Sequence, residues 1–126
     1  MNLYETWRSP DFRKRQNWIN RVLEYEDRED FWEEYGPVTN PDAFASWASI
    51  AAYYEGIGVL VERGLIDINL VYDLLHVSII RAWEKMSPEF KEARESEDGH
   101  PKLWDSFEYL YHEIKKREQQ RPELKS

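Results

Sequence analysis

Asn40-Pro41-Asp42-Ala43-Phe44-Ala45-Ser46-Trp47-Ala48-Ser49-Ile50-Ala51-Ala52-Tyr53-Tyr54-Glu55-Gly56-Ile57-Gly58-Val59-Leu60-Val61-Glu62-Arg63-Gly64 is the stretch that decides the fold. It opens on a side chain able to cap a helix, with proline at the first helical position and an acid in the first turn. It closes on a glycine suited to the residue just past a helix end. Between these signals Ala43 to Val61 carries one charge, Glu55. That length could span a bilayer. Yet a charge near mid-span is expensive, and Ser46, Ser49, Tyr53 and Tyr54 add polarity. A helix apolar nearly all round serves equally well at the centre of a soluble bundle. The bundle, with no membrane insertion, is the reading adopted.

Working outward, the same grammar recurs. Asp67 can cap a helix whose Val71, Leu74, Leu75, Ser78, Ile79, Ala82, Trp83 and Met86 fall at steps of three and four. Ser87-Pro88-Glu89 reads as a break or restart, leaving a short polar helix over residues 91–97. Ser9-Pro10-Asp11 starts a helix carrying Phe12, Gln16, Ile19 and Leu23, after a short first helix with Leu3, Tyr4 and Trp7. Asp27 caps another, with Phe31, Trp32 and Tyr35, ended by Gly36-Pro37. Asp98-Gly99-His100-Pro101 is a turn. A last helix carries Leu103, Trp104, Phe107, Leu110, Tyr111 and Ile114. No segment alternates as a strand would. The expected fold is therefore all-α: one compact bundle of about five to seven helices around a central apolar helix at about 41–63. One domain covers 1–120, and the polar tail 121–126 is expected to fray.

Composition agrees. Of 126 residues 41 % are hydrophobic, 15 % aromatic and 33 % charged, enough for one core and a solvated surface. Six tryptophans fall one to each main helix, as anchors to a shared core. With no cysteine, disulfides, thiolate nucleophiles and Cys-held metals are excluded. The N-terminus lacks a basic segment followed by an apolar run, so a cytoplasmic protein is expected. A net charge of −8 argues against nucleic acid as partner. The charge is uneven: residues 8–21 are basic, residues 24–34 strongly acidic, and the chain is basic again from Lys115. Such runs form solvated faces or pair within the molecule.

Several segments are familiar as a set. Leu-Tyr-Glu-Thr-Trp-Arg-Ser-Pro-Asp-Phe-Arg-Lys-Arg over 3–15, Phe-Trp-Glu-Glu-Tyr-Gly over 31–36, Trp83-Glu84 and Leu-Trp-Asp-Ser-Phe-Glu-Tyr-Leu over 103–110 belong to it. The most specific is Tyr-Tyr-Glu-Gly-Ile-Gly-Val-Leu-Val-Glu-Arg-Gly-Leu-Ile-Asp over 53–67. Together they resemble a bacterial family of small helical proteins, domain of unknown function 4760, over nearly the whole chain. The resemblance implies a helical fold and supplies no catalytic residues. Many members carry a transmembrane helix before the Leu-Tyr segment; here the sequence begins at that segment.

Chemistry has one candidate. Glu55 shares a helix face with Ala48, Ala51 and Gly58, so its carboxylate needs a partner or a raised pKa. Arg81, Arg63 or a tyrosine hydroxyl could serve. Two readings follow: a structural carboxylate tying helices together, or a polar pocket formed by Tyr54, Glu55, Arg81 and Trp83. Gly56 and Gly58, costly inside a helix, suggest a small-residue face (Ala48, Ala51, Ala52, Gly58) approached closely by the fifth helix. No metal, cofactor, nucleotide loop or nucleophile motif is expected: Asp73 with His76, and Glu108 with His112, are isolated pairs. The leading expectation is a non-catalytic helical interaction module that binds a protein partner or itself, with Trp7, Trp18 or Trp32 as docking residues. The alternative is a small-molecule binder or cryptic enzyme with its pocket around Glu55.

Overall fold

A computed structural model describes residues 3–97 and 99–120, and the tail 121–126 lies outside them. The described residues form six α-helices and no strand. They are α1 (Leu3–Arg8), α2 (Pro10–Asn17), α3 (Arg28–Tyr35), α4 (Pro41–Glu62), α5 (Ile68–Glu95) and α6 (Asp105–Gln120). Four expected caps are made by the expected atoms. Ser9 Oγ accepts from the Phe12 amide at 3.3 Å and Asp27 Oδ1 from Asp30 at 2.8 Å. Asn40 Oδ1 accepts from Ala43 at 3.1 Å and Asp67 Oδ1 from Asn69 at 2.9 Å. Gly64 follows α4 at φ +71°, a conformation that favours glycine.

Packing overrides the sequence in three places. The break expected at Ser87-Pro88-Glu89 is absent, because α5 runs through it to Glu95 with Pro88 inside. Proline removes a donor from the ladder there. The phenol of Tyr25, arriving from the connection before α3, is inserted beside it. The hydroxyl donates to the Lys85 carbonyl at 2.7 Å and accepts from the Glu89 amide at 3.3 Å. A polar side chain supplied from elsewhere thus steadies the helix where proline weakens it. Second, α2 continues as a π-helical turn, Trp18–Val22, closed by a Leu23 amide to Trp18 carbonyl bond of 2.9 Å. Ile19 and Leu23 are thereby buried while Val22 stays outside. Third, Leu103 and Trp104 lie in the turn before α6, with Trp104 at φ 58°.

The core is aromatic. Phe31, Tyr54, Tyr72, Phe90 and Phe107 are fully buried. Phe31 packs against Trp47 in a tilted pair with centroids 4.1 Å apart, and Trp83 meets Phe107 at 5.1 Å. On α5, Val71, Leu75, Ile79, Ala82, Trp83 and Met86 face inward as expected. Leu74 does not: it is exposed, and Tyr72, outside the expected stripe, is buried instead. Trp7, Trp18 and Trp32, expected as exposed docking residues, are partly buried against the core. α4 is central in that α2, α3, α5 and α6 all pack on it.

Candidate functional site

The first turn of α6 gathers three of the four residues expected to form a pocket. Glu55 Oε1 accepts a hydrogen bond from the Phe107 amide at 2.8 Å. The Tyr54 and Trp83 rings flank the Phe107 ring at 5.3 and 5.1 Å. Phe107 itself occupies the space between them. Glu55 is only partly buried, and its partner is neither Arg81, Arg63 nor a tyrosine hydroxyl. It satisfies one of the unpaired amides at a helix start, where the helix dipole also favours negative charge. A missing side chain completes the junction. A Cβ on Gly58 would overlap the Ser106 carbonyl oxygen, so glycine is what lets α6 approach. The close approach expected from α5 therefore comes from α6.

Arg94 is a residue that sequence reasoning missed. Its Nε donates to the Leu103 carbonyl at 2.8 Å and its Nη1 pairs with Glu108 at 2.7 Å. Its guanidinium lies over the Trp83 ring at 6.0 Å. Burial alone would raise the Glu108 carboxyl, but Arg94, assisted by His112, holds it below the usual carboxylate range. The signal in the sequence was no more than an arginine in an otherwise polar stretch.

Arg81 stands apart from Glu55 and Trp83. It is exposed on α5 and lines a separate cleft with Trp7 and Arg13. Tyr54 reaches toward both places, since its hydroxyl bonds to Gln16, another residue of that cleft. Burial pushes the Tyr54 phenol far above its ordinary pKa, opposed by contacts with Ser78 and Trp7 and by the Arg13 charge.

A second surface belongs to α4. Ala45, Ser49, Ala52, Gly56 and Arg63 recur at helical spacing, and all are exposed. Only 33 % of the helix's most apolar window is buried. The small residues expected to be covered together are split: Ala51 and Gly58 face the core, Ala52 faces out. A Cβ on Gly56 would meet nothing. Asp42 and Arg63, at opposite ends of this face, have no ion pair among the described residues. Among the same residues no group of three His, Asp or Glu is placed to hold a metal ion.

Compared with known proteins, residues 1–114 match the model of one family, described as Domain of unknown function (DUF4760). No curated protein and no solved structure matches the chain.

Proposed function

Because the chain belongs to the DUF4760 family, whose description names no activity, we propose from its geometry alone that it is a non-catalytic helical interaction module that pairs with itself through α4. The observation that carries this reading is the uncovered face Ala45–Ser49–Ala52–Gly56–Arg63 on an otherwise packed central helix. Small side chains let two helices approach closely. The charges at its ends suit a two-fold partner. An antiparallel pair centred between Ala52 and Tyr53 sets Ala45 against Leu60 and Ser49 against Gly56. It also sets Asp42 of each copy against Arg63 of the other, and opposes the two helix dipoles. The net charge of the whole chain, −8, disfavours unspecific contact between other faces of two copies.

The chain has no cysteine, which makes the test direct. Ala52→Cys should give a disulfide-linked dimer under mild oxidation, and Val38→Cys, on an exposed loop, should not. Native mass spectra should show twice 15.3 kDa. Asp42→Arg and Arg63→Asp should each weaken the dimer, and the double swap should restore it. A strict monomer at the highest soluble concentration, with no cross-link through residue 52, removes the proposal. By length and composition α4 could also cross a membrane. A monomer that floats with lipid vesicles would make lipid the occupant of this face.

A further inference from the structure

We infer that the cleft between α2 and α5 is a binding site for a small phosphate-bearing anion. The cleft holds about 250 Å³, and three of its walls are the arginines Arg13, Arg21 and Arg81. No aspartate or glutamate lines it, although the whole chain has 25 such residues against 17 lysines and arginines. None of the three arginines makes an ion pair among the described residues. Every other arginine paired with an acid, namely Arg15, Arg28, Arg94 and Arg117, lies elsewhere. The basic run 8–21 and the acidic run 24–34 are not joined by any of these pairs, so like charges gather here without internal compensation. Three arginines lining one concave site focus positive potential there, and guanidinium groups present paired donors to oxygen anions.

The rest of the cleft is neutral and polar, as such a site requires. Gln16 is almost fully buried, and its amide is committed at both ends: Nε2 donates to Asn20 Oδ1 at 3.1 Å, and Oε1 accepts from Tyr54. That arrangement turns the Asn20 amide nitrogen, a donor, away from Gln16. Trp7 holds Arg13 by a cation–π contact of 4.9 Å, which orders one guanidinium before any ligand arrives. The volume accommodates one or two phosphate groups with a small organic part, not a large cofactor.

The test is titration of the full chain with inorganic phosphate and pyrophosphate, followed by amide and indole NMR shifts. Sodium chloride at matched ionic strength is the control. Saturable shifts are expected over residues 13–21, 77–81 and the Trp7 indole, stronger with pyrophosphate. Arg13→Gln and Arg81→Gln should each weaken binding about tenfold while leaving the melting temperature nearly unchanged, since both side chains are exposed. Shifts no larger than those from chloride, or affinities untouched by both variants, overturn the proposal. A response to vesicles bearing phosphatidic acid without one to free phosphate overturns the soluble ligand as occupant. None of these outcomes depends on whether two copies pair through α4.

Discussion

The phenol of Tyr25 donates to the main-chain carbonyl of Lys85 across 60 positions of sequence, at 2.7 Å. Because the same oxygen accepts from the Glu89 amide, one hydroxyl spans the rung next to Pro88. Removing it leaves polar backbone groups without that partner in a half-buried place. Tyr25→Phe should therefore cost about 1–3 kcal/mol, read by urea denaturation, although the ring and its contacts with Phe31 and Trp47 remain. An unchanged midpoint would show that the helix passes Pro88 without help.

Glu89 sets a pH dependence of definite sign. Burial raises its pKa, partly offset by the Trp32 indole and the Arg28 charge, with Glu92 adding a further rise. The folded state then keeps this proton to higher pH than the unfolded chain. Between the two pKa values the folded state binds more protons, so stability falls as pH rises. Glu89→Gln lacks this group, and its melting temperature relative to wild type should climb from the ordinary carboxylate range toward neutrality. A difference that stays flat with pH would refute the assignment.

The two glycines of α4 should respond oppositely to alanine. At Gly58 the new methyl meets the Ser106 carbonyl, a backbone atom that yields only if α6 shifts. Gly58→Ala should destabilise by about 1–3 kcal/mol. Gly56 faces open space, so Gly56→Ala should stabilise by up to about 1 kcal/mol through helix propensity. Thermal unfolding at dilutions where the chain is monomeric gives both signs.

Glu55 should behave as a cap. Glu55→Ala removes the acceptor of the Phe107 amide and should cost about 0.5–2 kcal/mol. Glu55→Gln retains an oxygen and should cost less, losing chiefly the favourable charge at the helix start. Hydrogen exchange at the Phe107 amide is the direct readout. Equal protection in Glu55→Ala and wild type would contradict the capping role.

The fate of Glu55 shows how far the sequence could be read. A single carboxylate among Ala48, Ala51 and Gly58 announced that something must meet it. The sequence named side chains, Arg81, Arg63 or a tyrosine, because side chains can be seen in a sequence. The partner is a main-chain amide of α6, which becomes an unpaired donor only once that helix starts where it does. Arg81 lies on the next helix in sequence after that of Glu55, yet it lines the arginine-lined cleft and not the Glu55 junction.

By itself the sequence determined that the chain is helical, where four of its helices begin, and which residues of α5 form most of the inward stripe. These follow from local rules: caps satisfy nearby amides, proline and glycine fix nearby dihedrals, and apolar spacing marks one face. Only the tertiary structure decided that α5 continues through Pro88, that Gly58 receives α6, that one face of α4 is left uncovered, and that Arg13, Arg21 and Arg81 line one cleft. Each depends on atoms brought together from distant positions, and contact across 50 or more residues leaves no mark in the spacing of either segment.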